Sequence, residues 1–439
     1  MINYSNIFTI PNDELISDGS VDPMGMQMIW TYFGQLIYRN KLTTVSTDIR
    51  NYTINLLHHY VLYKFEHEKA LEFNNAQSHF PYYNDAYSTK AGMLIFMEDI
   101  LVYSLIDQSA SVDTEGLLGS YKAQNELAKA KNDFSTIKIH AERSKGVLVR
   151  QIQLGINGRY KGPFINMELM TTNFVYYKEF ERVEQLIKQW PEGTKLVNKL
   201  MDLLVDLLQV DTKDYPIVTL DRYKNDAELW QLYVNCFGKL QLNDSIKNYW
   251  LEKLGLNSGA AHSIFSEMGN FRRESVNTII EAARKNESDE EEKKLLQWIL
   301  DLEPFLSRCT HAFNLLSDVA VKKVSDVKQD LDALVSNFPI ETVQPLICKN
   351  ERLETLIGFI QDNCSNGEQF AEAILNYHKK IMKDRGGEPW VTVKNNSVKH
   401  YIPNNNNRIS TEMVISQGYW YNGYYLNAVK SIFKGLNPE

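Results

Sequence analysis

The sequence predicts a mainly α fold, an irregular multi-helix array with a small C-terminal β-hairpin followed by a terminal helix. Apolar residues recur at intervals of three and four almost without a break up to Asp384, which is the period of an amphipathic helix. Two short runs of alternating side chains follow Asp384 and are typical of paired strands. No phrase repeats at a fixed interval, so the array is predicted to be irregular rather than a solenoid.

The helical pattern starts at residues 24–40, where apolar side chains recur at helical spacing. Residues 46–48 are Ser, Thr and Asp, which cap helices, so a long helix is predicted from there towards Phe73. The segment 88–106 is apolar on most sides, which predicts a central helix. Further helices are predicted at 115–132, 136–154, 172–190, 194–209, 225–238, 243–254, 275–285, 290–317, 325–337, 351–362 and 367–384.

The hairpin is predicted from residues 390–393 and 398–402, because the Asn pair at 395–396 between them tolerates the positive φ of a two-residue turn. In that register Val393 faces Val398. Side chains alternate between the two faces of a strand pair, so one face is predicted to be core and the other half-exposed. The core face holds Val391, Val393, Val398 and Ile402, and the half-exposed face holds Trp390, Thr392, Lys399 and Tyr401.

An aromatic segment, residues 418–425, follows the hairpin with the sequence Gly-Tyr-Trp-Tyr-Asn-Gly-Tyr-Tyr. It leads into a terminal helix whose apolar stripe already supplies a core-facing side; the stripe is Tyr425, Val429, Ile432 and Leu436. The remaining rings either pack this helix onto its domain or form a surface that binds a partner protein or stacked bases. The predicted partner interface consists of Trp390, Tyr401, Tyr419, Trp420, Tyr421 and Tyr424.

Two breaks in the helical pattern predict three domains. The first break lies at 155–166, and the second is the glycine pair Gly386–Gly387, which is predicted to end the preceding helix. Pro403 and the asparagines after it are predicted to end the second strand. The domains are an N-terminal helical domain at 1–165 that ends in a basic Gly-rich turn, a central helical domain at 166–385, and the hairpin with the aromatic-rich helix at 386–439.

The basic glycine segment, residues 143–164, is a candidate anion site. Its cations are Arg143, Lys145, Arg150, Arg159 and Lys161, and the eight residues 155–162 contain three glycines and two of these cations. Glycine N–H groups and cations together form phosphate nests. The spacing is not that of a P-loop, because no hydroxyl follows the last glycine, nor that of a dinucleotide fingerprint, because no strand leads into it. The segment is interpreted as a structural turn, as a contact for a phosphate backbone or carboxylate, or as part of a catalytic site.

Other titratable residues are interpreted mainly as structural, and no cofactor or metal is predicted. His58 and His59 lack further ligands at metal-binding spacing. The adjacent acids Glu98 and Asp99 point in different directions on a helix, and one of them is predicted to be buried against a cation such as Arg50 or Arg39. Nuclease and serine-hydrolase motifs do not occur, which disfavours an enzyme of familiar type.

Composition sets the broad class. The 439 residues are 44% hydrophobic and 23% charged, which is typical of a soluble globular protein, and the net charge of -8 argues against a wholly basic nucleic-acid-coating protein. Neither a signal peptide nor an apolar run of about 20 residues is visible, so a cytoplasmic protein without a membrane span is predicted. The four cysteines lack Cys-x-x-Cys spacing, which favours reduced, mostly buried thiols.

These observations predict a non-catalytic helical subunit of a cytosolic multiprotein assembly. The abundance of Lys, Asn and Ile favours a prokaryotic source with an AT-rich genome. If the assembly acts on nucleic acid, its predicted process is genome maintenance or antiviral defence. Two alternatives are kept: a protein that itself binds the phosphate backbone of nucleic acid through the basic glycine segment, and an enzyme whose site is assembled from residues distant in sequence.

Overall fold

The computed structural model describes the chain from residue 22 to residue 437, apart from 80–85, 109–111, 132, 140–145, 149, 209–217, 225, 240–241, 271–274, 403–408 and 417. It is 69% helical, with 21 α-helices in the described residues, and the predicted mainly α fold is confirmed. No helix in these ranges is both long and apolar enough to cross a membrane.

The helices in chain order are α1 Met26–Tyr38, α2 Ile49–Glu68, α3 Ala70–His79, α4 Ala86–Asp107, α5 Ser120–Ala130, α6 Gln151–Leu154, α7 Ile156–Asn166, α8 Glu179–Lys188, α9 Pro191–Leu208, α10 Asp221–Lys224, α11 Ala227–Phe237, α12 Asp244–Lys253, α13 Gly259–Glu267, α14 Val276–Asn286, α15 Glu290–Ser317, α16 Lys328–Val335, α17 Ile340–Val343, α18 Glu351–Ile360, α19 Gly367–Asp384, α20 Thr411–Ile415 and α21 Leu426–Leu436. The strands are β1 Lys138–Ile139, β2 Val218–Thr219, β3 Val391–Lys394 and β4 Ser397–His400, paired as β1 with β2 and β3 with β4, both antiparallel.

Residue contacts divide the described chain into two units that are discontinuous in sequence. Unit 1 comprises Asn40–Gly255 and Ala428–Glu439, and unit 2 comprises residues 22–39 and Leu256–Asn427. Neither unit has a boundary at residue 165 or residue 385. The division of the sequence into three domains therefore stays a prediction.

The core of unit 1 is built around α2 and α4. Residues 49–62 of α2 are all buried, and so are nearly all residues of α4 from 89 to 106, which fits the predicted central position of that helix. Buried polar side chains need internal hydrogen bonds. Thr53 on α2 accepts one from Nε1 of Trp250 at 3.0 Å, and Nε2 of His58 lies 3.2 Å from the hydroxyl of Tyr233.

The helix predicted at 136–154 is wrong over 136–139, whereas 140–145 and 149 lie outside the described residues and 151–154 is helical. This range contains the end of a 3₁₀ turn at Phe134–Thr136, then β1, and then α6. Ile137 and Ile139 are buried while Lys138 between them is exposed, which is the period of a strand. β1 pairs with β2 some 80 residues away, with Ile139 opposite Val218. Local periodicity does not reveal such a distant partner.

The central helix of unit 2 is α15, and α1, α14, α19 and α20 pack against it. α15 and α19 have the bounds predicted for them, 290–317 and 367–384. Asp289 caps α15, because its carboxylate accepts hydrogen bonds from the N–H groups of Glu291 and Glu292 at 2.9 and 3.1 Å. Gly386, at a φ of 72°, follows the end of α19 as predicted.

The predicted hairpin is confirmed. Asn395 and Asn396 form its turn with φ values of 50° and 63°, and Val393 lies opposite Val398. Val398 is buried as predicted, but Val393 is exposed, because it lines an open groove beside α19. Ile402 is exposed as well, so two of the four predicted core residues are not in the core. Residues 403–407, the predicted end of the strand, lie outside the described residues.

The apolar stripe predicted for the terminal helix is confirmed, since its four residues are buried: Tyr425, Val429, Ile432 and Leu436. This helix, α21, contains Gly435 at a very close approach to α2. A Cβ on residue 435 would lie 2.3 Å from Cγ2 of Ile49, so only glycine fits. The C-terminal turns of α21 are therefore part of the packing of unit 1.

Candidate functional site

The basic glycine segment contains a helix rather than the predicted turn. α7 begins after Gly155, and Gly158 and Gly162 lie inside it. The predicted Gly-rich turn is therefore wrong over Ile156–Asn166. Glycine disfavours helix by about 1 kcal/mol relative to alanine. Here the packing of α7 against α2 and a buried carboxylate at its first turn outweigh that cost.

The N-terminus of α7 already holds an acidic side chain, that of Glu98 on α4. Oε1 of Glu98 accepts a hydrogen bond from the N–H of Ile156 at 2.8 Å. A Cβ on Gly155 would lie 2.5 Å from that oxygen, so the glycine makes room for the carboxyl group. Helix N-termini favour negative charge. Burial raises the pKa of Glu98 to about 8, although the hydrogen bond from Ile156 acts to lower it.

Asp99 is buried beside Glu98, and the predicted cation partner for this pair of acids is wrong. Oδ1 of Asp99 accepts a hydrogen bond from Nε2 of Gln151 at 2.7 Å, and burial raises its pKa to about 7. Arg50 instead lies 3.6 Å from a carboxylate oxygen of Asp48, and Arg39 pairs with Glu292 at 3.1 Å. The two terminal nitrogens of Arg50 also donate hydrogen bonds to the backbone carbonyl groups of Asp113 and Glu115, so this guanidinium is held away from the two acids of α4.

Three of the five predicted anion contacts lie in the described residues. Arg143 and Lys145 fall outside them, so their predicted role stays a prediction. Arg150 is exposed and has a φ of 58°, immediately before α6. A positive φ is uncommon for a residue with a Cβ. Its guanidinium is available to an anionic partner, and this role also stays a prediction.

Arg159 and Lys161 on α7 are half-buried and make contacts within unit 1. Nε of Arg159 donates to the carbonyl of Leu154 at 3.0 Å. Nζ of Lys161 lies 4.9 Å from the ring centre of Tyr87 and 4.7 Å from that of Phe174. Cation–π contacts of this kind stabilise the fold by about 0.5–2 kcal/mol. These contacts give both cations a structural role, whatever else they bind.

The two adjacent histidines, His58 and His59, are buried and hydrogen-bonded, which indicates a structural role. Nδ1 of His59 lies 3.1 Å from the hydroxyl of Tyr176, and its Nε2 lies 3.0 Å from Oδ1 of Asn157. Burial lowers the pKa of both His58 and His59 to about 3, so both rings are neutral at pH 7. The described residues contain no group of three His, Cys, Asp or Glu side chains that could hold a metal ion.

The four cysteines are free thiols, and two of them, Cys236 and Cys309, are buried. Cys348 is exposed and Cys364 is intermediate, so the prediction of mostly buried thiols holds for half of them. Burial raises the pKa of Cys236 and of Cys309, which makes both thiols poor nucleophiles.

Glu303 of α15 is a buried carboxylate that holds the aromatic segment. Its Oε1 accepts hydrogen bonds from the N–H groups of Tyr421 and Asn422, both at 3.1 Å. Its Oε2 accepts one from the hydroxyl of Tyr424 at 2.7 Å and one from the side-chain amide of Asn422 at 2.9 Å. Burial raises the pKa of Glu303, and a hydrogen bond from Ser307 is the strongest of those that oppose the rise.

Tyr424 does not belong to a surface that a partner could reach. Its side chain is fully buried, its hydroxyl is bonded to Glu303, and its ring packs edge-on against Trp30 with the ring centres 6.0 Å apart. The predicted interface role of Tyr424 is therefore wrong. Two alternatives are predicted for the aromatic segment, a partner surface or packing of the terminal helix onto its own domain. Tyr424 is a packing residue.

Tyr419, Trp420 and Tyr421 are half-buried around this anchor. The hydroxyl of Tyr421 lies 2.8 Å from Nδ1 of His311, and the rings of Tyr419 and Tyr421 meet edge to face with centres 5.2 Å apart. The ring of Trp420 packs against Tyr424 at 5.9 Å. These three side chains keep part of their surface in solvent, and their role in an interface stays a prediction.

The hairpin presents large apolar side chains to solvent. Tyr401 is 54% exposed and Ile402 is 46% exposed, and Trp390 beside them is half-buried. We call these three residues the hairpin surface. Trp390 and Tyr401 lie opposite each other across the strands, since the N–H of Tyr401 donates to the carbonyl of Trp390 at 2.7 Å. Cross-strand aromatic pairs are a recurrent stabilising unit of sheets.

The turn end of the hairpin and β4 are fixed to the rest of unit 2. The N–H of Val398 donates to the carbonyl of Lys322 at 2.8 Å, and the N–H of Val324 donates to the carbonyl of Asn396 at 3.1 Å. Nε2 of His400 lies 3.2 Å from a carbonyl oxygen at the end of α15. The bond to Lys322 occupies an outward N–H group of β4, and the three contacts together hold the hairpin in a defined position.

A groove of about 570 Å³ lies between β3 and α19. We call it the hairpin groove. Glu368, Glu372 and Lys379 line it from α19, and Val393 lines it from β3. The sequence did not predict this groove, because it arises where two elements fail to close over each other. The sequence does carry a signal for Glu303, since Glu303, Ser307 and His311 follow each other at four-residue spacing and therefore share one face of α15.

Comparisons with protein-family models, with curated proteins and with solved structures gave no match. The function is therefore argued from the geometry of the chain itself.

Proposed function

We propose that this chain is a non-catalytic helical subunit of a multiprotein assembly, and that it docks a protein partner through the hairpin surface. The observation that carries the proposal is the exposure of Tyr401 and Ile402 on a hairpin whose turn end is fixed by hydrogen bonds. Large apolar side chains grouped on the surface mark interaction sites. Tyrosine and tryptophan are also the side chains that most often act as interface anchors.

The internal contacts of the titratable residues support a subunit rather than an enzyme. Glu98 binds the N-terminus of α7, His59 binds Tyr176 and Asn157, and Glu303 binds the aromatic segment. Each of these side chains is buried. A catalytic acid or base has to come within hydrogen-bond distance of its substrate. Internal hydrogen bonds thus account for the burial of these three side chains, and no catalytic role is needed to explain them.

The setting that we propose is the cytoplasm of a prokaryotic cell, and the composition rich in Lys, Asn and Ile supports it. Action of the assembly on nucleic acid, as in genome maintenance or antiviral defence, is the narrower form of this proposal. In that form Arg150, which is exposed whereas Arg159 and Lys161 are half-buried, is the contact that we propose for a phosphate backbone.

The proposal is tested by co-purification of tagged chains from cells of the source organism. Tyr401→Ala should lose the partner that the unaltered chain retains, because truncating an anchor costs about 2 kcal/mol or more of association. Tyr121→Ala is the matched control, since Tyr121 is 78% exposed on α5 of unit 1. Both variants should melt at the same temperature as the unaltered chain. Retention of the full set of partners by Tyr401→Ala would contradict the proposal.

A further inference from the structure

The hairpin groove runs along the outer edge of β3, with α19 as its opposite wall. At one end the N–H of Trp390 donates to Nε2 of His378 on α19 at 2.8 Å. At the other end Asn396 and Glu368 line the groove, so β3 and α19 run antiparallel. The volume of about 570 Å³ falls within the range of about 300–1,000 Å³ that is usual for ligand sites.

Among the residues that the structure describes, no strand lies beside the outer edge of β3. Alternate residues of an antiparallel strand bond to the partner strand. Trp390 bonds to Tyr401, so Val393, three residues further on, directs its N–H and C=O away from β4. Within the described ranges no backbone group outside the hairpin bonds to Val393, which is 36% exposed. Such an edge is a template for an added strand.

The wall opposite this edge is acidic at one end, and Lys379 lies at its other end. Glu368 and Glu372 are exposed one turn apart on α19, and both line the groove. Oε1 of Glu368 lies 3.1 Å from Nζ of Lys328, whereas Glu372 has no ion-pair partner among the residues described. Lys379 is the cation of the lining, and it lies about 10 Å from Glu372 along the helix axis.

We infer that the hairpin groove binds an extended segment of the partner protein, which adds a strand to β3 and places a Lys or Arg side chain at Glu372. This inference rests on the proposed function, because it assigns the part of the partner that enters the groove. The N–H and C=O of Val393 supply main-chain hydrogen bonds, as in other cases of strand addition. Glu372 supplies the preference for a basic side chain, since opposite charges select partners and like charges exclude them.

The charge preference is tested by fluorescence polarisation with two labelled peptides, Thr-Val-Lys-Val-Lys-Val-Thr and the same peptide with Glu in place of Lys. The full chain should bind the basic peptide at least tenfold more tightly than the acidic one. Glu372→Lys should reverse that order. Glu281→Lys is the matched control, because Glu281 is exposed in the middle of α14, and this variant should keep the order of the unaltered chain. Equal affinity for both peptides, or no binding of either, would overturn the inference.

The main-chain pairing is tested with Val393→Pro. Proline removes the outward N–H of this residue and leaves the bonds between β3 and β4 in place, which edge strands tolerate. The variant should lose binding of the basic peptide, and Val393→Thr should keep it. Unchanged binding by Val393→Pro would exclude strand addition. If Val393→Pro does not fold, the reversal expected of Glu372→Lys still decides the inference. Dimerisation of the unaltered chain that Val393→Pro abolishes would overturn it, because a second copy would then occupy the edge.

Failure of this inference is distinguishable from failure of the proposed function. Suppose that Tyr401→Ala loses the co-purified partner, while Glu372→Lys and Val393→Pro retain it. The hairpin surface would then be the docking site, and the assignment of the groove would be wrong. If all three variants retain the partner, both proposals are wrong. Loss of the partner in all three is the result that both proposals together require.

Discussion

Glu303 determines the position of the aromatic segment. A carboxylate buried on α15 costs free energy unless hydrogen bonds compensate it. Backbone N–H groups of Tyr421 and Asn422 and the hydroxyl of Tyr424 provide that compensation. The carboxylate therefore fixes a chain segment that contains no regular structure of its own, and it draws Tyr424 out of reach of any partner.

Replacing Glu303 should destabilise the chain in proportion to the acceptors that are lost. Glu303→Ala leaves several buried donors without an acceptor, so we expect the free energy of unfolding to fall by about 3 kcal/mol. Glu303→Gln retains one carbonyl oxygen and should lose less. Urea denaturation followed by tyrosine and tryptophan fluorescence measures both variants. An alanine variant as stable as the unaltered chain would show that the aromatic segment is held by packing alone.

The two buried acids of α4 should make stability fall as the pH rises. Burial raises the pKa of Glu98 from 4.5 to about 8 and that of Asp99 from 3.8 to about 7. The folded chain thus binds more protons than the unfolded chain, and stability is lost as the pH rises through this window. Glu98→Gln should flatten the dependence between about pH 5 and pH 8. Urea midpoints across this range measure it, and parallel pH profiles for both chains would contradict the assigned pKa shift.

At the scale of elements, the sequence predicts what local periodicity determines. α15 and α19 begin and end where their caps and apolar spacing place them, and the hairpin has the register that Asn395 and Asn396 impose. β1 and α7 are different, because their conformation depends on partners far along the chain. Ile139 becomes a strand residue by pairing with Val218, and Ile156 begins a helix where Glu98 accepts its N–H.

The candidate surfaces divide in the same way, into features that local sequence predicts and features that depend on residues far along the chain. The sequence predicts that Tyr401 lies on the less buried face of the hairpin, because alternation alone decides the face. It does not predict that Tyr424 is buried, since that depends on Glu303 more than a hundred residues away. It also does not predict the hairpin groove, because no local pattern specifies the space between Val393 and Glu372.

The glycines of α7 should respond to alanine in opposite directions. A Cβ on Gly162 would meet no atom within 4 Å, so Gly162→Ala should stabilise the helix by about 0.5–1 kcal/mol. A Cβ on Gly155 would lie 2.5 Å from Oε1 of Glu98, so Gly155→Ala should destabilise the chain by about 1–3 kcal/mol. Thermal unfolding of the two variants compares them directly. Equal shifts of the melting temperature would contradict the assigned position of Glu98.

At the scale of the whole molecule, two sequence-discontinuous units each have a helical core, and the two candidate surfaces lie on different units. The basic glycine segment belongs to unit 1, whereas the hairpin surface and the hairpin groove belong to unit 2. The net charge of -8 and the internal contacts of Arg159 and Lys161 favour a protein partner at the hairpin over a phosphate backbone at α7.

Docking of a protein partner on the hairpin of unit 2 can be mapped by hydrogen–deuterium exchange of the chain, alone and with its co-purified partner. We expect slower exchange at residues 390–402 in the complex, including the amide of Val393, with little change at 150–161. Slower exchange at 150–161 with no change at 390–402 would contradict docking at the hairpin, because the partner would then bind the basic glycine segment.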